Sequence, residues 1–159
     1  MNFTITPATR ADLPTVVDLI RALAVYEKLE HMMISTVEDF DRELFGAGAK
    51  IECVIAREGD LPVGFALFFN NFSTFLGRKG LYLEDLFVDP SARGKGYGKA
   101  LLIHLAKLAV ERGCGRFEWS VLDWNTPAIE FYEAMGATVM PEWKIVRVTG
   151  EKLQQLARK

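Results

Sequence analysis

The sequence predicts an α/β chain, α+β in the grouping of its early strands, with a mixed central sheet of six to seven strands flanked by about four helices. Three observations carry this. Short apolar, β-forming runs alternate with stretches of helical periodicity along the whole chain. One run, Leu81 to Val88, empties through Asp89-Pro90 into a glycine-rich turn that opens a helix, the strand–loop–helix order of a phosphate cradle. Half of the 159 residues are apolar, enough for one core burying roughly two thirds of the unfolded surface, so residues 1–159 are expected to form a single domain.

Phe3 to Thr6 alternates as a short strand. Thr9 with Asp12 forms a capping-box signal ahead of Leu13, Val16, Val17, Ile20, Leu23 and Ala24, the offsets of an amphipathic helix. A second capped helix is expected from Ser35/Thr36 through Glu38 to Phe45, stopped by Gly46, after a short exposed connection. Ile51 to Arg57 and Leu61 to about Asn71, separated by Glu58-Gly59-Asp60, read as a hairpin. Leu81 to Val88 supplies the next strand. Strict alternation places Tyr82, Glu84, Leu86 and Val88 on one face and Leu81, Leu83, Asp85 and Phe87 on the other.

Beyond the glycine turn, Leu101, Leu105, Leu108 and Ala109 form the sheet-facing stripe of a helix that ends on Arg112-Gly113. Arg116 to Leu122 reads as a strand. Asn125 or Thr126 caps a short helix with Pro127 near its first position and Gly136 at its end. Ala137 to Met140 and Trp143 to Val148 are expected as two last strands, and Glu151 to Ala157 as a terminal helical turn or two.

Composition narrows the function. Net charge is −2 with acids and bases interspersed, so neither nucleic acid nor an anionic membrane is an expected partner. Apolar runs such as Val63 to Phe69 fall far short of the roughly 20 residues that span a bilayer, and the N-terminus lacks a basic-then-apolar signal, which points to a soluble cytoplasmic protein. Cys53 and Cys114 make neither a metal spacing nor a disulfide framework and read as structural thiols; no metal is expected.

The chemistry concentrates in Arg93, Gly94, Lys95, Gly96, Tyr97, Gly98 and Lys99. Glycines let an anion approach main-chain N–H groups that a helix start leaves unpaired, and the helix dipole adds partial positive charge. Spacing separates the phosphate folds. A P-loop needs four residues between its glycine and Gly-Lys-Ser/Thr, whereas Gly94 to Gly98-Lys99 has three and Ala100 follows, without a hydroxyl for magnesium. The dinucleotide fingerprint also fails, its third glycine falling one position early. Taken alone, the run is either an R-G-x-G-x-G coenzyme loop or a glycine-rich turn with a lysine-rich helix start.

Other candidates each carry two readings. Glu84 and Asp85 inside an apolar strand are functional acids or carboxylates tied to a nearby arginine. Tyr26 and Glu27 sit at a helix end that is solvated or part of a site. Tyr132 shares a stripe with Ala128, Phe131 and Met135 and reads alone as a core aromatic, and His104 as a packed or surface residue.

Several separated segments agree in order with one family. The R-G-x-G-x-G loop after a strand resembles the acetyl-coenzyme A loop of the GNAT-type N-acetyltransferases, and the element order resembles theirs over nearly the whole chain. Tyr82 to Val88, Arg93 to Gly98, Trp124-Asn125-x-Pro127, Glu130-Phe131-Tyr132 to Gly136-Ala137 and Ala24-x-Tyr26-Glu27 are similar to the spermidine/spermine and thialysine N-acetyltransferases. The stretch between Gly59 and Gly64 is shorter than in the animal polyamine enzymes.

The resemblance implies acetyl transfer from acetyl-coenzyme A to a primary amine of a small di- or polyamine or lysine-like amino acid, by a cytoplasmic homodimer. Leu86, Phe87 and Val88 would hold the pantetheine arm through their backbone, Arg93 to Lys99 the pyrophosphate, and Asn125 another part of the coenzyme. Tyr26, Glu27, Glu84 and Asp85 would form an acidic amine pocket. Glu84 is expected to accept the amine proton and Tyr132 to protonate the departing sulfur. No nucleophile motif argues for an acyl-enzyme. Acetylation of a protein amine, and a coenzyme-binding module without transfer activity, are the alternatives.

Overall fold

The computed structural model describes residues 2–159. Among them run the strands β1 (Phe3–Pro7), β2 (Ile51–Glu58), β3 (Leu61–Ser73), β4 (Arg78–Val88) and β5 (Arg116–Trp119). The helices are α1 (Leu13–Tyr26), α2 (Val37–Phe45), α3 (Tyr97–Glu111), α4 (Thr126–Ala134) and α5 (Gly150–Ala157), with 3-10 turns at Arg10–Asp12, Glu30–Met32 and Pro90–Ala92. The strands form one sheet in sequence order, antiparallel from β1 to β4 and parallel between β4 and β5. No helix among the described residues is long and apolar enough to cross a membrane.

Local chemistry sets the boundaries. The Thr9 N–H donates to Asp12 Oδ2 at 2.8 Å, but that box opens the 3-10 turn, and α1 begins at Leu13 with Pro14 in its first turn. Thr36 and Asp39 satisfy each other's backbone donors at 2.8 and 3.3 Å and start α2. Gly59-Asp60 closes the β2–β3 hairpin, with Gly59 at φ 62°. Arg57 donates to Asp12 at 2.6 Å, pinning β2 to the turn before α1.

Two faces of the sheet are covered. Val16, Leu19 and Leu23 of α1 pack with Cys53, Ile55, Phe65, Leu67 and Phe87, while α3 brings buried Leu101, Leu102, Leu105 and Ala109 onto β3 and β4. Burial pushes the Cys53 thiol up to about 12, which leaves it inert.

Strict alternation along β4 fails at one place. Leu67 pairs with Asp85 but Phe68 pairs with Leu83, so Glu84 is the extra residue of a β-bulge. Cross-strand partners share a face. Asp85 and Phe87 therefore lie on the α1 side with Leu67 and Phe65, and Leu81 and Leu83 on the other with Asn70 and Phe68. The grouping of Leu81, Leu83, Asp85 and Phe87 on one face is corrected: one inserted residue flips every side chain beyond it.

Contacts divide the chain into two compact units, one ending at Ser120 and the other spanning Val121–Lys159. In the second, Asn125 caps α4, its Oδ1 accepting from the Ala128 N–H at 3.3 Å, and α5 follows Thr149. The two strands expected at 137–140 and 143–148 are absent among the described residues, so the sheet has five strands rather than six or seven. A strand persists only when a neighbour takes its hydrogen bonds and its apolar face is covered. Here Trp143, Ile145 and Val146 are 74, 70 and 92% exposed.

Candidate functional site

The site starts from a gap in the sheet. β5 pairs with β4 only over Gly80–Leu83. From the bulge at Glu84 onward, β4 keeps β3 on one edge and pairs with no strand among the described residues on the other. Along Leu86, Phe87 and Val88 alternate residues turn backbone N–H and C=O groups to the free edge, while the Phe87 carbonyl faces β3 at Gly64; that is the spacing an extended amide-bearing ligand matches.

The chain then turns. Asp89 caps the 3-10 turn by accepting from the Ser91 N–H at 2.9 Å and hydroxyl at 2.6 Å. Gly94 and Gly96 both sit at φ 82°, Gly96 being the N-cap of α3, and a Cβ on either would meet nothing within 4 Å. Open space therefore lies against the glycine face of the turn, where Tyr97, Gly98 and Lys99 present the unpaired N–H groups of a first helical turn. Such a turn offers main-chain donors and open space to an anion.

Charge around the turn is unevenly disposed. Arg93 folds back: its Nε donates to the Val88 carbonyl at 3.0 Å, and its guanidinium lies 4.5 Å from the Tyr26 ring centroid and 5.7 Å from that of Phe87. Lys95 Nζ donates to both oxygens of Glu58 at 3.0 and 3.3 Å, and the Tyr97 hydroxyl donates to the same carboxylate. The Tyr97 ring stacks on Phe3 at 4.1 Å and 3° between planes.

Beside Arg93 lies an acidic cluster. Tyr26 ends α1, Glu27 is its C-cap, and Asp85 faces α1 across β4. Burial first, then the Glu84 and Glu27 carboxylates, push the Asp85 carboxyl up to about 6; burial also raises Glu27. Among the described residues no ion pair includes Glu27, Glu84 or Asp85, so the reading that ties the β4 acids to an arginine does not hold. The last turn of α1 carries no basic residue, and its dipole adds partial negative charge at the same point. Glu27 and Asp85 are partly out of water while Glu84 is exposed at the bulge, so three acids and a helix C-terminus concentrate negative charge at one point.

The structure thus brings Glu27, Glu84 and Asp85 together beside Tyr26, whose ring Arg93 meets from the glycine turn. In the second unit, Asn125 is buried and engaged as the α4 cap, and Tyr132 is half-buried with its ring 5.5 Å from that of Phe131. Two features were missed in the sequence. The bulge had a signal, two adjacent acids in an apolar strand; Glu58 had none, because its partners Lys95 and Tyr97 lie far along the chain.

Comparison with known proteins fits this geometry. The chain is 36% identical to an L-ornithine N5-acetyltransferase (NATA1) of Arabidopsis thaliana, over 94% of this chain and 85% of that one. It is 34% identical to the thialysine N-epsilon-acetyltransferase of Sus scrofa, over 96 and 95% of the two. An integron cassette protein from the mobile metagenome of V. cholerae shares the fold at a TM-score of 0.83 and 29% identity, covering 100% of this chain and 99% of that one. Residues 13–137 match the Acetyltransferase (GNAT) family, and with the free β4 edge running into a glycine-lined helix start, the chain belongs to the GNAT family of acetyltransferases.

Proposed function

We propose that the protein transfers acetyl from acetyl-coenzyme A directly to a primary amine of a small di- or polyamine or of a lysine-like amino acid. The observation that carries this is the cluster of Glu27, Glu84 and Asp85, in which burial and the two neighbouring carboxylates raise the Asp85 carboxyl, with no ion pair to any of the three among the described residues. Relatives named for ornithine and thialysine, both carrying a side-chain amine, support it.

Acetyl-coenzyme A supplies an acetyl thioester. Leu86 to Val88 take the pantetheine amides along the free edge, and the turn from Arg93 to Lys99 takes the pyrophosphate. The coenzyme contact of Asn125 rests on its motif. Tyr26, Glu27 and Asp85 seat the ammonium. An alkyl ammonium has a pKa near 10.4 and cannot attack until it loses a proton. Glu84, exposed at the bulge, accepts that proton directly or through water and passes it to solvent. Tyr132 returns a proton to the sulfur. The thioester C–S bond breaks as the C–N bond forms, the carbonyl oxygen stays in the amide, the sulfur leaves as the thiol, and one net proton from the ammonium is released to solvent.

Purified protein with labelled acetyl-coenzyme A and a panel of diamines, ornithine, lysine, thialysine and N-terminal peptides tests the reading. We expect kcat/KM at least 10-fold higher for the best small amine than for any peptide, on the scale a desolvated carboxylate pair gives a cation. Preference for a peptide would replace the small-amine reading by protein acetylation, and coenzyme binding without turnover by a non-catalytic module.

The same reading holds the enzyme to be cytoplasmic and homodimeric. The exposed apolar side chains of Trp143, Ile145 and Val146, in a segment without a strand partner among the described residues, support self-association. Sedimentation at micromolar concentration should return twice the chain mass; a monomer would remove the dimer.

A further inference from the structure

Glu58 belongs to none of the site motifs read in the sequence, yet it holds the glycine turn in place. It is the last residue of β2, paired with Phe3 and Leu61 across its two neighbours, and its side chain is 15% exposed. From there its carboxylate receives Lys95 Nζ and the Tyr97 hydroxyl. Those residues flank Gly96, the left-handed residue that starts α3.

The turn has an alternating construction. Side chains 95 and 97 are bound to Glu58, and Tyr97 is also clamped by Phe3. Gly94 and Gly96 face open space. The Tyr97 hydroxyl first and Lys95 second hold the Glu58 carboxyl below the usual range, so it stays ionised near neutral pH. A glycine-rich turn is floppy on its own, and ordering it on binding takes away from affinity. Here Glu58 and Phe3 already hold the side chains of Lys95 and Tyr97. The same contact engages the Lys95 charge, leaving Arg93 and Lys99 as the cations of the turn in no ion pair among the described residues.

We infer that Glu58 is a positioning residue for the coenzyme's pyrophosphate, holding Lys95 and Tyr97 on the sheet side so that the Gly94–Gly98 backbone presents its donors to the phosphates. The inference rests on reading Arg93 to Lys99 as the coenzyme turn.

The test compares two acetyl donors in the full-length enzyme, acetyl-coenzyme A and S-acetylpantetheine, which lacks the pyrophosphate. Calorimetry of the wild type with acetyl-coenzyme A comes first; no binding there overturns the coenzyme reading itself. Given binding, Glu58→Ala should raise KM for acetyl-coenzyme A about 10-fold, with kcat at saturation and the acceptor KM within about 2-fold. Its kcat/KM with S-acetylpantetheine should be unchanged. Glu58→Gln, which keeps an acceptor for Tyr97 but not the charge, should give a smaller rise of the same kind and covers the case in which the alanine variant folds poorly. An unchanged KM for acetyl-coenzyme A, or an equal loss with both donors, would overturn the positioning role.

Discussion

Tyr132→Phe should lower kcat by roughly 10²-fold or more while leaving the affinity for acetyl-coenzyme A unchanged, on the scale of one positioned proton donor. The substitution removes a single oxygen. The ring keeps its shape and its 5.5 Å contact with Phe131, and an unchanged melting temperature would show that a fall in kcat reports the hydroxyl. The chemistry requires a donor of this kind. A thiolate whose conjugate acid has a pKa near 8.5 departs only moderately well, and a phenol of ordinary pKa near 10 can hand over its proton as the C–S bond lengthens without being deprotonated at rest. Calorimetry with acetyl-coenzyme A and steady-state rates on the best amine together check it. A kcat within a few-fold of wild type would take Tyr132 out of the mechanism and leave the thiolate to depart unaided.

The site was legible in the sequence where the chemistry is local in the chain. Gly94, Gly96 and Gly98 follow a strand within a few residues, and a turn of that composition has few uses. The caps at Thr36 and Asn125 and the stripe of Leu101 and Leu105 were readable for the same reason, since periodicity and capping are i to i+3 or i+4 properties. What escaped is set by distant partners. The bulge at Glu84 depends on how β3 and β4 settle their register, and it turns Asp85 toward α1, where burial gives it its raised proton affinity. Glu58 meets Lys95 and Tyr97 across |i−j| of 37 and 39. The missing strands at 137–148 teach the converse: apolar, β-forming residues specify a preference, and only a partner edge converts it into a strand.

Asp85→Asn should make the protein more stable and less active at the same time. The carboxyl is raised from 3.8 to about 6, first by burial and then by Glu84 and Glu27. Holding it ionised in the folded state therefore costs on the order of 3 kcal/mol, at about 1.4 kcal/mol per pH unit. For an acid whose folded pKa lies above its unfolded value, the stabilising contribution is present below about pH 4 and is lost as pH rises through about 6. The isosteric amide carries no charge to desolvate. Allowing about half the cost to be recovered, the variant should melt roughly 4 °C higher at pH 7 to 8, and the gain should vanish below about pH 4. Activity should move the other way. Wild-type kcat/KM for the amine should fall below about pH 6, where Asp85 takes up its proton and loses the ammonium; in the variant that limb should disappear and KM for the acceptor rise about 10-fold. Diamine added to the wild type should raise its melting temperature with concentration and barely move the variant's, because only the ionised cluster prefers the bound cation. If the acidic limb stays in place in Asp85→Asn and moves instead in Glu84→Gln, the titrating group is the bulge carboxylate, and Asp85 is a buried acid that the amine does not use.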